Sequence, residues 1–197
     1  NYMNFVLNRY HKYPNLIWIA GGDVRGDVDL ELFHAMGAMM KADNPERLVT
    51  YHPFGRCDSS QWFHEAPWLD FNLFQSGHRR YDQDVLGTWD DNRQTESSFR
   101  EDCWRYVESD YGKMPVKPTL DGEPSYEWIL QGLHDKNEPY WQAADVRRYA
   151  YWDVFAGAAG HTYGHNAVMQ FQRREEEQGT FGVNVPWDEG IHHSGGA

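Results

Sequence analysis

The sequence predicts an α/β fold built on a parallel sheet. Short apolar runs alternate with stretches of helical periodicity, and each apolar run is followed by polar or charged residues and a loop. No internal repeat or low-complexity segment interrupts the alternation. Strands alternating with crossover helices are the pattern of a parallel sheet, and in such a sheet all strands end on one face, where sites are built.

The elements follow in chain order. Tyr2, Phe5, Val6 and Tyr10 are close to helical spacing over residues 1–13. In "YPNLIWIAGGD", the unbroken apolar run Leu16–Ala20 between Pro14 and Gly21 reads as a strand over Asn15–Ala20, buried on both faces. "DVDLELFHAMGAMMKADNP" places Leu30, Phe33, Met36 and Met40 on one helix face, with Asp27 as its expected cap and Pro45 ending it. "RLVTYHPFG" is a second strand ending in His52, and "LDFNLFQSGH" a third ending at Gln75–His78. "TESSFREDCWRYVESDYG" is a helix with Phe99, Cys103, Tyr106 and Val107 on one face, closed by Gly112. "VKPTLDGEP" is a fourth strand ending at Glu123; Glu127 is expected on a first helical turn beyond it, paired with Arg56 or Arg25. "QAADVRRYAYWDVFAGAAG" is another helix, and "HTYGH" opens a fifth strand running through "NAVMQF". Residues 1–171 thus form the domain. Residues 172–197 read as an irregular segment with a solvated "REEEQG" run and a loop or tag-like "IHHSGGA" tail.

The 197 residues suffice for one domain with a full core. A formal charge of −12 disfavours nucleic acid and anionic membrane surfaces as partners. No apolar stretch approaches the ~18 residues of a membrane span. The first thirteen residues lack signal-peptide features. Cys57 and Cys103 form no CxxC pattern; they are expected either to pair in an oxidising compartment or to stay free. Aromatic residues make up 16%, a share usual in clefts that stack sugar rings but also in large aromatic cores.

Asp23 and Glu123 form the strongest candidate constellation. Each follows a strand and a glycine, and a parallel sheet brings both to one rim. Two carboxylates across a cleft perform glycoside hydrolysis, one protonating the leaving oxygen while the other attacks the anomeric carbon or activates water. The chemistry needs one carboxyl neutral and one ionised, and Trp18, Tyr126, His78, His161 and His165 are available to set that difference. The competing reading makes Asp23 a turn cap after a Gly-Gly bend. His161 and His165 are spaced like zinc ligands on a helix, but Gly160 and Gly164 argue against a helix there and no HExxH occurs. A metal-dependent hydrolase is therefore a lesser alternative, and neither metal nor cofactor is expected. No serine lies in a GxSxG elbow, and "IAGGDVRGD" matches no nucleotide-binding glycine pattern.

Taken together, "NLIWIAGGD", "TYHPFGRCDSS", "LDFNLFQSGH", "KPTLDGEPSYE" and "AGAAGHTYGHNAV" resemble, in order, successive strand-end motifs of the apiosidase-like (β/α)8-barrel family, glycoside hydrolase family 140. The resemblance runs from about Asn1 to Phe171. It implies a (β/α)8 TIM barrel of which strands four to eight are present, with the N-terminal half-barrel missing, since such a barrel takes about 250 residues. It implies a retaining glycosidase acting on pectic polysaccharide, secreted or periplasmic, with Asp23 as acid/base and Glu123 as nucleophile. His52, Arg56, Gln75, His78, Tyr126, His161, Tyr163 and His165 are the expected carbohydrate contacts. The rival is a fragment or carbohydrate-binding protein that keeps the fold without turnover.

Overall fold

The computed structural model describes residues 2–80, 99, 101–133, 135–176 and 179–196. Its fold is mixed α/β. After helix α1 (Tyr2–Tyr10), strand β1 (Trp18–Gly21) pairs in parallel with β2 (Val49–His52), Gly21 standing opposite His52. Helix α2 (Leu30–Asp43) makes the crossover. Its cap is Asp29, whose carboxylate accepts from Leu32 N at 3.0 Å, and not Asp27, which pairs with Arg25. A 3-10 turn over Gly26–Val28 carries the chain past Asp27 before the helix begins.

After β2 the chain departs from a purely parallel sheet. Arg56, at φ +61°, turns it back, and β3 (Cys57–Asp58) runs antiparallel to β4 (Asn72–Gln75). This excursion, with the short helix α3 (Ser60–Phe63) behind it, divides the described strands into two sheets, β1-β2 and β3-β4-β5-β6. Strands β5 (Thr119–Asp121) and β6 (Gly160–His161) continue in parallel from β4, with Phe74 opposite Asp121 and Asp121 opposite His161. The register therefore brings the ends of β4, β5 and β6 level.

Helix α4 (Cys103–Tyr111) ends at Gly112 as the pattern predicts; residues 95–98 and 100 of the expected helix lie outside the described residues. Helix α5 (Ala143–Ala156) opens with a Gln142–Asp145 capping box and closes on Gly157 at φ +104°. The expected fifth strand stops at His161. "NAVMQF" is instead helix α6 (Asn166–Gln170), because His165 caps it by accepting from Ala167 N at 3.2 Å. Helix α7 (Trp187–Gly190) follows. The "IHHSGGA" tail is not loose: Gly195 is buried and its N–H donates to Glu127 Oε2 at 2.9 Å.

Two apolar cores support the rim, one around Phe33, Tyr51, Phe63 and Trp68 and one around Phe74, Tyr106, Trp141 and Tyr149. Phe74 and Tyr106 stack at 4.9 Å. Full burial of such a side chain stabilises by roughly 1.5–3 kcal/mol, and much of the aromatic excess serves these cores. Strand β1 is not buried on both faces. Ala20 is 1% exposed, but Ile17 and Ile19 are each 52% exposed. Among the described strands β1 pairs only with β2, and β6 only with β5. Among the described residues no helix is long and apolar enough to cross a membrane. Cys57 and Cys103 are both buried and are not joined in a disulfide.

Candidate active site

The strand ends deliver side chains to one cavity of about 230 Å³, lined by Asp23, Arg56, Gln75, His78, Glu123 and Tyr126 among others. Asp23 reaches it over a Gly-Gly bend. Gly21 has φ +79°, and a Cβ there would lie 2.6 Å from the Tyr51 ring and 2.7 Å from the His52 carbonyl. Gly22 has φ +120°, and Asp23 itself sits in the left-handed region at φ +52°. A non-glycine residue held there carries strain of the kind that clusters at functional sites. Glu123 follows Gly122, where a Cβ would lie 2.3 Å from the Leu73 side chain. Only glycine lets β5 end this close to β4.

Glu123 is gripped by two histidines. His78 Nε2 lies 3.1 Å from Oε1 and His52 Nε2 3.3 Å from Oε2. His78 Nδ1 accepts from Tyr126 N at 3.4 Å, so Nε2 carries the proton and donates to Glu123. His52 Nδ1 lies 3.0 Å from the Pro53 carbonyl and accepts from the Asp23 backbone N–H at 3.3 Å, which ties the backbone of Asp23 to the residue that holds the Glu123 carboxylate. Burial alone would raise the Glu123 carboxyl; the hydrogen bonds and charges of His52 and His78 outweigh it and hold Glu123 down to about 2. Burial likewise opposes the charged form of His52, but the Glu123 carboxylate wins and raises that imidazole above its usual value.

Asp23 moves the other way. Although the residue as a whole is exposed, its carboxyl lines the cavity; desolvation there is the largest cause raising its pKa and the Glu123 charge the second. A hydrogen bond from Gln75 and the two histidines offset this only in part. One carboxyl is thus pushed towards its neutral form and the other held ionised in the same cavity. Gln75 is 3% exposed, and its Oε1 is buried without a hydrogen-bond partner. Tyr126 packs edge-on against His78 at 4.7 Å, and burial with the Glu123 charge keeps its phenol protonated.

Behind the rim, Asp121 is fully buried. Its Oδ1 accepts from Glu123 N at 3.1 Å and Ser76 N at 3.4 Å, and its Oδ2 from Ser76 Oγ at 2.5 Å. Asp121, Asp153 and His161 form the one group of three ligand-type side chains found among the described residues. Burial, then the Asp153 charge, pushes Asp121 well above the carboxylate range, and burial raises Asp153 as well. Within this group His161 Nδ1 meets Asp153 Oδ2 at 2.6 Å, while Asp153 Oδ1 is buried without a hydrogen-bond partner.

The structure brings Asp23, Arg56, Gln75, His78, Glu123 and Tyr126 into the cavity wall and attaches His52 through Glu123. It does not bring His161, Tyr163 and His165 there. His161 turns back to Asp153 on α5, Tyr163 donates to Glu127 Oε2 at 2.6 Å, and His165 pairs with His193 at 2.9 Å. Glu127 is buried, bridges to His165 through the backbone, is not on a helical turn, and accepts from the Tyr163 hydroxyl and Gly195 N. Trp18 lies away from the site, its ring 5.8 Å from the Arg47 guanidinium. Sequence reading missed Phe54, Arg79, Ile129, Leu133, Met169 and Phe181, which complete the wall. Arg79 adjoins His78 and was within reach of the motif; Phe181 comes from the segment read as irregular.

The family described as "Apiosidase-like, catalytic domain" matches residues 1–197. A solved glycoside hydrolase is 48% identical and superposes with a TM-score of 0.89, covering 98% of this chain and 43% of its own. A glycoside hydrolase family 5 crystal structure from Bacteroides vulgatus ATCC 8482 is 46% identical with a TM-score of 0.90, covering 98% of this chain and 42% of its own. This chain therefore spans well under half the length of these solved structures. No curated protein matches it.

Proposed function

This chain belongs to the apiosidase-like catalytic-domain family, and from that premise we propose that it carries the catalytic pair of a retaining glycoside hydrolase acting on pectic polysaccharide, of the family 140 kind, with apiose as the sugar released. The observation that carries the two-carboxylate pair is the placing of both carboxyls in one cavity with opposed ionisation, Glu123 held at about 2 and Asp23 raised; the sugar and the retaining course come from the family. The (β/α)8 barrel follows the same reading. That β1 pairs, among the described strands, only with β2, and the likeness to chains more than twice as long, support placing the five strands β1, β2, β4, β5 and β6 as the fourth to eighth of such a barrel.

The chemistry runs in two steps. Glu123 attacks the anomeric carbon; the glycosidic bond breaks, and its electron pair stays on the leaving oxygen as that oxygen takes the Asp23 proton. Asp23, now ionised, then removes a proton from water, whose oxygen attacks the same carbon and releases Glu123. His52 and His78 keep Glu123 ionised and aimed. Gln75, Tyr126 and Arg56 line the same wall and are the groups assigned to the sugar hydroxyls.

The test is a pair of variants on natural and aryl glycosides. Glu123→Gln removes the nucleophile and should abolish turnover of both. Asp23→Asn should cut turnover of the natural glycoside by about 10²–10⁴-fold while sparing the first step on an aryl glycoside that needs no protonation. Azide should rescue Asp23→Asn and not Glu123→Gln in the same way. Equal losses on both substrates without azide rescue would overturn the assignment.

A further inference from the structure

A second cavity, of about 410 Å³, adjoins the catalytic one. Its wall includes Tyr163, His165, Val168 and Ile191, and it shares Tyr126 and Met169 with the catalytic cavity. Nothing in the two-carboxylate chemistry uses it. We propose that it is a second saccharide subsite, taking the sugar ring next to the scissile bond, with the Tyr163 ring as its stacking platform. This rests on the glycosidase reading above and adds to it where the rest of the polysaccharide lies.

Tyr163 is built as a rigid platform. Its hydroxyl is consumed by buried Glu127 at 2.6 Å, and the other donor to that Glu127 oxygen is Gly195 N at 2.9 Å. A Cβ at Gly196 would lie 3.0–3.2 Å from the ring, so the tail backbone braces Tyr163. The ring is nevertheless 44% exposed. An aromatic ring fixed at its polar end and open to solvent presents the kind of apolar surface that the C–H face of a pyranose covers.

The rest of the wall is uncharged. Ala167 N donates to His165 Nδ1 at 3.2 Å, so the His165 proton sits on Nε2 and points to His193 Nδ1 at 2.9 Å. Burial, then the neighbouring His193, lowers His165 to about 4, which keeps it neutral at ordinary pH. Among the described residues no lysine or arginine lines this cavity. Recognition here is by stacking and shape, not by pairing with a carboxylate. The Tyr126 ring common to both cavities packs against Gly164, where a Cβ would fall 2.1 Å from it.

The experiment compares Val168→Trp, which fills the cavity, and Tyr163→Ala, which removes the ring, with the unmodified protein. Two readouts are taken: kcat/KM on a pectic oligosaccharide relative to that on the aryl glycoside of its terminal sugar, and calorimetric binding of the same oligosaccharide. Val168→Trp should lower the oligosaccharide-to-aryl ratio and weaken oligosaccharide binding, each about tenfold, the worth of one aromatic stacking contact. Tyr163→Ala, which removes the platform, should lower both by a similar factor. An unchanged ratio together with unchanged binding in Val168→Trp overturns the subsite. Oligosaccharide binding that Val168→Trp weakens, in a protein that hydrolyses no glycoside, sinks the glycosidase reading and keeps the subsite. Neither binding nor hydrolysis in the unmodified protein overturns both.

Discussion

Glu123 shows how residue-scale electrostatics assigns chemistry. Its carboxyl ionises at about 2, below its ordinary 4.5, because two imidazoles donate to it. Its interactions therefore contribute stability that is present above about pH 4.5 and is lost as pH falls through about 2. Under the proposed roles, the acid limb of the pH profile should follow ionised Glu123 and the alkaline limb protonated Asp23. His78→Phe keeps the edge contact with Tyr126 but removes one donor. A charge-assisted hydrogen bond is worth about 1.5–3 kcal/mol and one pKa unit about 1.4 kcal/mol, so the acid limb of kcat/KM should move up by about one unit or more. An acid limb that stays in place would show that His78 does not hold the carboxylate. Asp121 makes a separate case. Asp121→Ala leaves Ser76 N, Ser76 Oγ and Glu123 N without their acceptor. At about 1–3 kcal/mol for each buried donor left unsatisfied, urea unfolding should show a loss of several kcal/mol, with Asp121→Asn far less costly because its carbonyl still accepts. Equal stability of the two variants would contradict this role.

At the scale of elements, the strand tips were legible and the strand bodies less so. The run Leu16–Ala20 followed by Gly-Gly-Asp located β1 and its cargo, and "TLDGE" located β5, because a polar residue after an apolar run and a glycine is a local signal. The exposure of Ile17 and Ile19 was not legible, since burial depends on what pairs beside a strand and not on the strand itself. The antiparallel β3 was hidden for a similar reason: two residues form it, and its partner Gln75 lies 18 positions on. "NAVMQF" misled because a five-residue helix shows little periodicity; its start depends on the His165 cap. His161, Tyr163 and His165 share one motif, yet each turns to a different partner. The Gly-Gly bend gives the element-scale prediction. Gly21→Ala forces a left-handed conformation and meets Tyr51 and His52 at 2.6–2.7 Å. It should cost about 1–3 kcal/mol of stability and lower kcat more than it raises KM, because the bend aims Asp23. Thermal unfolding and kinetics check this, and a variant with unchanged melting and kcat would refute it.

At the scale of the molecule, the exposed side of β1 shapes behaviour. Among the described strands β1 has a partner on one side only, and such an edge beside exposed isoleucines is a template for association. This 197-residue chain on its own should self-associate with rising concentration in sedimentation velocity, and Ile19→Lys should suppress the association. A monodisperse monomer at all concentrations, insensitive to Ile19→Lys, would show that the edge is satisfied in some other way. The two-carboxylate cavity is the central claim, and one measurement reaches it most directly. A 2-fluoro glycoside with an activated leaving group forms a glycosyl-enzyme that turns over slowly, and intact-mass and peptide mass spectrometry locate it. The account predicts one added glycosyl group per chain, carried on Glu123 and absent from Glu123→Gln. An adduct on another residue, or an adduct persisting in Glu123→Gln, would contradict it.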